Sequence, residues 1–183
     1  MSRKVIYFDI DRCVGCFTCQ VACKQENDLP PHNVDDAIKQ TAPLWRRVIE
    51  IEHGEYGNET ISYVSLSCMH CANAPCVIAC PTEALTKRYE DGIVQVDQIK
   101  CIGCRMCLQV CPFGIPQYGE DGLMQKCNLC ISKLEEKEEP ACVACCPSKA
   151  LRYGESSELS KSVQEKLGLK LVLATGKTYS ADL

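Results

Sequence analysis

The chain has 183 residues, of which 17 are cysteine and only 6% are aromatic, and its formal net charge is −4 at pH 7. This cysteine content is near the level at which cysteine chemistry, rather than a large apolar core, determines the fold. The acidic balance argues against a nucleic-acid-binding surface, and no segment approaches the about 18 consecutive apolar residues of a membrane span.

The N-terminus has neither the apolar run of a signal peptide nor a twin-arginine pair. These absences predict a cytoplasmic protein, in which cysteines stay reduced instead of forming disulfides. Two alternatives stay open, namely association with a membrane through a partner and export in the folded state with a partner that carries the signal.

Sixteen of the cysteines fall into four groups with short internal spacings. In chain order the groups are Cys13, Cys16, Cys19 and Cys23; Cys68, Cys71, Cys76 and Cys80; Cys101, Cys104, Cys107 and Cys111; and Cys127, Cys130, Cys142 and Cys146. The third group has the Cys-x2-Cys-x2-Cys-x3-Cys-Pro spacing of bacterial [4Fe–4S] ferredoxins. The first has the same spacing but ends on Lys24, and the other two lengthen the gap before the third cysteine.

This spacing has a physical basis. Three closely spaced thiolates converge on one iron–sulfur cube, and the fourth points away toward a neighbouring cluster. Sixteen thiolates therefore suffice for four [4Fe–4S] clusters, with no open iron for a substrate. Zinc is the main alternative, although its sites usually consist of two short Cys pairs separated by a spacer.

Between and after these groups, the sequence predicts short strands and one helix. The segment from 24 to 67 contains two strands, at 45–53 and 60–66, around a turn at 55–58. Strands at 86–88 and 93–96 flank a second turn at 90–92. The C-terminal segment contains a helix at 157–167 and a strand at 169–173. The recurrence of Pro81-Thr-Glu-Ala-Leu as Pro147-Ser-Lys-Ala-Leu indicates an internal duplication.

Four segments of the chain resemble those of a known family. They are Cys-Val-Gly-Cys-Phe-Thr-Cys-Gln-Val-Ala-Cys-Lys at the first group, Cys-Met-His-Cys-Ala-Asn-Ala-Pro-Cys at the second, Cys-Ile-Gly-Cys-Arg-Met-Cys-Leu-Gln-Val-Cys-Pro-Phe-Gly at the third and Lys-Cys-Asn-Leu-Cys at the fourth. Over nearly its whole length the chain resembles the iron–sulfur electron-transfer subunits of molybdopterin oxidoreductases, such as those of dimethyl sulfoxide and polysulfide reductases. Similar small subunits accompany tungsten aldehyde oxidoreductases.

The resemblance implies four [4Fe–4S] clusters, each held by three cysteines of one group and the last cysteine of another. The implied ligand sets are Cys13, Cys16, Cys19 and Cys146; Cys127, Cys130, Cys142 and Cys23; Cys68, Cys71, Cys76 and Cys111; and Cys101, Cys104, Cys107 and Cys80. The implied fold is α+β, with two ferredoxin-like lobes related by duplication. Residues 1–23 with 120–154 form one lobe and 68–119 the other, while 24–67 form a hairpin insertion and 155–183 a C-terminal docking tail.

The resemblance also implies a non-catalytic subunit that relays single electrons. Its partners would be a catalytic subunit with a molybdenum or tungsten pterin and a second redox subunit, either a flavin protein or a quinone-linked membrane anchor. A free-standing polyferredoxin is the alternative from another class, and a zinc-held interaction module is a third.

Five further residues near the groups have predicted roles. Lys24, Arg105 and Lys126 adjoin cysteines and either raise cluster potentials or serve as ordinary surface charges. His70, between Cys68 and Cys71, is expected to make a supporting hydrogen bond rather than to act as a ligand. The seventeenth cysteine, Cys145, takes a position that small apolar residues fill in the other groups. It is therefore expected to be a small buried residue, with ligand exchange or redox activity as the alternative.

Overall fold

The computed structural model describes residues 3–30 and 42–174 as a mixture of short helices and strands. The strands are β1 (Lys4–Phe8), β2 (Arg46–His53), β3 (Thr60–Ser67), β4 (Leu85–Lys87), β5 (Val94–Val96), β6 (Gln117–Tyr118), β7 (Met124–Gln125) and β8 (Leu151–Glu155). The helices are α1 (Thr18–Glu26), α2 (Pro75–Ile78), α3 (Met106–Gln109), α4 (Ile131–Glu135), α5 (Ala141–Ala144) and α6 (Ser156–Ala174). The mixed helix and strand class agrees with the sequence prediction.

The described strands form four antiparallel pairs, β1–β8, β2–β3, β4–β5 and β6–β7. Three of them are hairpins, whereas β1 and β8 come from distant parts of the chain and pair from Lys4–Glu155 to Phe8–Leu151. An isolated two-stranded sheet is only marginally stable in water. The strands therefore depend on packing against the cysteine-bearing segments.

Buried residues form two separate clusters, and cysteines contribute to both. The first cluster contains Cys19, Cys142 and Cys146 with Val143 and Leu151. The second contains Leu85, Val94, Cys107 and Met124, with Cys76 and other cysteines packed against it. The first and fourth cysteine groups thus share one core, and the second and third groups share the other.

The β2–β3 hairpin agrees with the predicted strands and turn to within one or two residues, and it contacts both halves of the molecule. The Val48 amide donates to the side chain of Gln20 in α1 at 3.0 Å. On the other side, the Gln117 side chain accepts from the Leu44 amide at 2.5 Å and donates to the Leu44 carbonyl at 2.7 Å. The insertion therefore joins the two cores, although residues 31–41 of its predicted range lie outside the described residues.

One sequence expectation was wrong. Residues 169–173 are not a strand, because helix α6 continues through Gly168 to Ala174. Leucine is a good helix former, and Lys166 and Lys170, one helical turn apart, both contact Asp11. The predicted lobe boundary at 120 falls in the turn between β6 and β7, and Met124 of β7 belongs to the second cluster of buried residues.

No helix within residues 3–30 and 42–174 is both long enough and apolar enough to cross a bilayer.

Candidate functional site

Cysteines that are far apart in the chain line common cavities. Site A consists of Cys13, Cys16, Cys19 and Cys146, which surround about 330 Å³ of space free of atoms. The wall is mostly apolar, with Phe8 and other side chains of β1, β2 and β8. Cys146 comes from the fourth group, so this cavity brings together cysteines of the first and fourth groups.

Two further cavities have the same construction. Site C consists of Cys68, Cys71, Cys76 and Cys111, around about 400 Å³. Site D consists of Cys80, Cys101, Cys104 and Cys107, around about 340 Å³. The three cavities are similar in size, and each contains three cysteines of one group and the last cysteine of another. They are therefore suited to hold the same kind of group.

Site B consists of Cys23, Cys127, Cys130 and Cys142, all of which are buried. Their proximity is visible in their mutual electrostatic effects. Burial, and then the negative potential of Cys127, Cys142 and Cys130, raise the pKa of the Cys23 thiol. The structure thus brings the members of the implied sets together, and their role as cluster ligands stays a prediction.

The Cys-x3-Cys spacing explains why neighbouring sites adjoin. Residues four apart lie on the same face of a helix, one turn from each other. Helix α1 thus presents Cys19 to site A and Cys23 to site B, and α2 presents Cys76 to site C and, just beyond its end, Cys80 to site D. Sites A and B are therefore neighbours, as are sites C and D. Sites B and C meet at Lys126, which lines site C and precedes Cys127.

Backbone amides stabilise negative charge on the last cysteine of two groups. Burial raises the pKa of the Cys80 thiol, but hydrogen bonds from the Leu85 amide, from the Thr82 hydroxyl and amide and from the Ala84 amide outweigh burial, so the pKa is lowered. The pKa of Cys146 is lowered in the same way by amides of residues 148, 150 and 151. Hydrogen bonds that favour the thiolate also favour coordination of a metal.

Other cysteines, two of them buried and one half-buried, behave in the opposite way. Burial raises the pKa of Cys127 and Cys142 at site B and of Cys68 at site C. An isolated buried thiolate is costly, whereas a metal ion deprotonates a coordinating thiol outright. Four thiols that converge in a closed apolar setting therefore fit an iron–sulfur cluster, which would hold them as thiolates.

Two glycines allow the cysteine loops to come close to their neighbours. Gly15 has φ +67°, and a Cβ atom there would lie 2.4 Å from the ring of Tyr63. At the equivalent position of the third group, Gly103 has φ +66°, and a Cβ atom would lie 2.6 Å from the Gly122 carbonyl oxygen. No side chain fits at either position, because the left-handed backbone and the close contact both exclude it.

The sites differ in their exposure. Cys16 at site A and Cys104 at site D are exposed, whereas every cysteine of site B is buried. Apolar side chains surround both exposed cysteines, with Val14 64% exposed next to site A and Ile102 65% exposed next to site D. Both terminal sites of the series A–B–C–D thus contain an exposed cysteine, whereas the cysteines of site C are all half-buried and those of site B are all buried.

The structure also places the other residues that the sequence analysis selected. His70 is buried, its Nδ1 accepts from the Val94 amide at 2.9 Å, and its Nε2 has no hydrogen-bond partner among the described residues. Burial, then the charges of Lys126, Arg3 and Lys87, lower its pKa. The imidazole is therefore neutral at pH 7, with Nε2 protonated because Nδ1 accepts.

Cys145 is partly buried, with its Sγ 3.6 Å from the Cys142 carbonyl oxygen.

Lys24, Arg105 and Lys126 differ in their exposure and in their contacts. Arg105 is exposed and lies over the Tyr118 ring at 5.1 Å, and Lys24 reaches the Pro30 carbonyl. Lys126, in contrast, is buried, so the surface-charge alternative is wrong for this residue. Sequence reasoning missed Arg46, which is also buried. The only available signal was the two-residue periodicity of β2, which places Arg46 on the same side as Leu44 and Val48.

Comparisons with known proteins give a consistent result. A family model described as a 4Fe-4S dicluster domain matches residues 59–156. The B subunit of the anaerobic dimethyl sulfoxide reductase of Escherichia coli (strain K12) is 40% identical over 164 residues, which are 85% of this chain and 75% of that protein. The thiosulfate reductase electron transfer subunit of Salmonella typhi is 40% identical over 169 residues, 90% of this chain and 83% of its own length. The formate dehydrogenase iron-sulfur subunit of Wolinella succinogenes is 34% identical over 189 residues, 91% and 88% respectively.

Proposed function

Because the chain belongs to the 4Fe-4S dicluster family of iron–sulfur electron-transfer subunits, we propose that it is the relay between a molybdenum or tungsten pterin catalytic subunit and a second redox subunit. The observation that carries this proposal is the series of four cysteine sites that reaches the surface at both ends. A single-electron relay needs redox centres that adjoin each other and two exposed ends where partners exchange electrons. The chain itself is non-catalytic in this proposal.

Each of sites A to D would hold one [4Fe–4S] cluster through its four cysteines. The support is that three cysteines from one group and a fourth from another line the same cavity at each of sites A, C and D. When bound, such clusters supply one-electron oxidation and reduction. The chain's own contribution is to hold the thiolates, to exclude water from site B and to donate amide hydrogen bonds to Cys80 and Cys146.

We also infer that the two cores are ferredoxin-like lobes that arose by duplication, one with sites A and B and the other with sites C and D. Equivalent contacts recur in both. The Asp9 amide donates to the Ala150 carbonyl at 2.8 Å, and the Asp97 amide donates to the Ala84 carbonyl at 2.7 Å. Beside them, Cys146 contacts the Ser148 hydroxyl and Cys80 contacts the Thr82 hydroxyl, both at 3.7 Å.

The four-segment division of the chain then needs one adjustment. Residues 1–23 with 126–154 form the first lobe, 68–125 form the second, 24–67 form the hairpin that contacts both, and 155–183 form the tail. The described part of the tail, helix α6, docks on the first lobe through Lys166 and Asp9 at 2.6 Å.

The second redox subunit would be a flavin protein or a quinone-linked membrane anchor. The proposed location is the cytoplasm, with association to a membrane through that partner and folded export with a partner as the alternatives. A free polyferredoxin remains the second candidate function, because it would use the same four sites.

Metal analysis of the complex tests the proposal. The complex should be purified without oxygen from its native host through an affinity tag on this chain, and Fe, Mo, W and Zn should be measured per chain. We expect about sixteen iron atoms from the four cubes, more if partners hold clusters, together with molybdenum or tungsten. The same iron without either metal would favour the free polyferredoxin, and zinc in place of iron would refute both.

A further inference from the structure

Two cationic side chains lie in the interior beside the cysteine sites. Arg46 in β2 is 2% exposed, and Lys126, immediately before Cys127, is 4% exposed. Among residues 3–30 and 42–174, no carboxylate lies within ion-pairing distance of either side chain. A buried charge is costly unless an opposite charge or hydrogen bonds compensate for it. The groups next to both cations that become negative when they bind iron are the cysteine sulfurs.

Arg46 lies between sites A and B. Its guanidinium donates to the hydroxyl groups of Ser65 at 2.9 Å and Ser67 at 2.7 Å, and the Ser65 hydroxyl lies 3.7 Å from the Sγ of Cys19 in site A. On its other side lies Cys142 of site B, which belongs to the same buried cluster as Cys19 and as Val48, the next residue of β2 on the face that carries Arg46. One charge therefore faces two sites.

Lys126 has the corresponding position between sites B and C. Its side chain lines the cavity of site C, and its Nζ donates to the carbonyl oxygens of Val94 and of Cys127 in site B, the latter at 3.0 Å. Site B thus faces both buried cations, sites A and C face one each, and site D faces neither.

We propose that Arg46 and Lys126 are the counter-charges that keep the fully buried site B reducible, each raising the reduction potential of the two sites between which it lies. This inference rests on the proposed function, since it concerns clusters held at sites A to D. One electron enters from the donor partner and leaves to the acceptor partner, and no bond forms or breaks.

The physical reason is the burial of site B. Each electron adds negative charge, and burial in a medium of low dielectric constant opposes that charge. Because Arg46 and Lys126 are in the same medium, their attraction to the added electron is strong. Arg105 is exposed, and Lys87, whose Nζ donates to the Cys71 carbonyl of site C at 2.7 Å, is only half-buried, so solvent and salt screen both more than the two buried cations. Without the two buried charges, site B would have the lowest reduction potential of the four sites.

Redox titration of the purified complex, followed by electron paramagnetic resonance, tests this inference. Arg46→Gln and Lys126→Gln each remove one buried charge. The matched controls are Arg47→Gln, at the exposed next position of β2, and Lys100→Gln, which precedes Cys101 as Lys126 precedes Cys127 but has a side chain 57% exposed. Cys16→Ser and Cys104→Ser identify the signals of sites A and D by altering them.

We expect each buried substitution to lower the equilibrium constant for reduction about tenfold at two sites, which is about 59 mV for one electron. Arg46→Gln should affect sites A and B, Lys126→Gln should affect sites B and C, and site D should respond to neither. The controls should change these constants by less than about threefold, or about 28 mV. The site that responds to both substitutions is then site B.

Three outcomes would overturn the inference. The first is a shift in reduction potential no larger than that of the controls, and the second is a shift spread equally over all four sites. The third is a shift in Arg46→Lys as large as that in Arg46→Gln, since lysine keeps the charge. If Arg46→Gln loses iron, Arg46→Lys and Lys126→Gln carry the test. A wild-type complex without four one-electron signals would refute the proposed function instead, before any variant is made.

Discussion

Cys23 illustrates how single residues decide the assignment of ligands. It belongs to the first group in sequence, yet the structure places it with Cys127, Cys130 and Cys142. We predict that Cys23→Ser and Cys127→Ser alter the same electron paramagnetic resonance signal and leave that of site A unchanged. Iron content per chain should fall by up to about a quarter, because one of four clusters loses a ligand.

Cys145→Ser is the matched control, since Cys145 belongs to none of the four sites and its Sγ contacts a backbone carbonyl. It should retain full iron and all signals. If Cys23→Ser instead abolished the signal that Cys13→Ser abolishes, the chain would use each group by itself, and the exchange of cysteines between groups would be wrong.

Gly15 gives a second prediction at the residue scale. Gly15→Ala should destabilise the fold by at least about 2 kcal/mol, because a left-handed alanine costs about 1 kcal/mol and overpacking adds about 1–3 kcal/mol. The added Cβ would meet the Tyr63 ring, on which Phe17 packs edge-on at 6.4 Å. Thermal unfolding and iron content after anaerobic purification measure the effect.

Gly114→Ala is the control, since its φ of +60° is similar but nothing lies within 4 Å of the added atom. It should cost only the backbone strain of about 1 kcal/mol. Equal destabilisation by the two substitutions would show that the contact with Tyr63 is unimportant.

At the scale of elements, helix α6 depends on a few ionic contacts for its position. Lys166 Nζ lies 2.6 Å from the buried Asp9, and Lys166 and Lys170 both contact Asp11. We predict that Lys166→Gln loosens the helix, because Asp9 would lose its partner in α6, so that limited proteolysis cleaves within 156–174 several-fold faster. Lys161→Gln, an exposed change on the same helix, should leave the cleavage rate unaltered.

The same contacts set the pH dependence of docking. Hydrogen bonds from Lys170 and Lys166 lower the pKa of Asp11 to about 2. A carboxyl group whose pKa is lowered by folding contributes stability above its unfolded pKa of about 3.9 and loses it as the pH falls toward 2. Cleavage within α6 should therefore be equal at pH 7 and pH 5. A marked increase between those values would contradict this role of Asp11.

At the scale of the whole molecule, the two cores consist largely of cysteines and small apolar side chains, with strand pairs that are marginal alone. We predict that anaerobic removal of iron by a chelator abolishes cooperative thermal unfolding and increases proteolysis throughout residues 3–30 and 42–154. Metal binding by such ligands is itself part of the folding free energy.

The control for iron removal is reconstitution with iron and sulfide, which should restore the unfolding transition, whereas zinc should not. A chain that unfolds cooperatively at the same temperature without iron would show that the apolar contacts suffice by themselves.

The sequence alone determined the cysteine chemistry, because ligand type and spacing are local properties of the chain. It also indicated the short hairpins and the repeated Pro-x-x-Ala-Leu unit, since turn residues and alternation act over a few positions. Tertiary structure decided what depends on contacts between distant segments. The lysine contacts of α6 favour a helix where the pattern suggested a strand, and Met124 joins the second core. Arg46 and Lys126 became buried only when β2 and the start of the fourth group packed between sites, because burial of a charge depends on the whole fold.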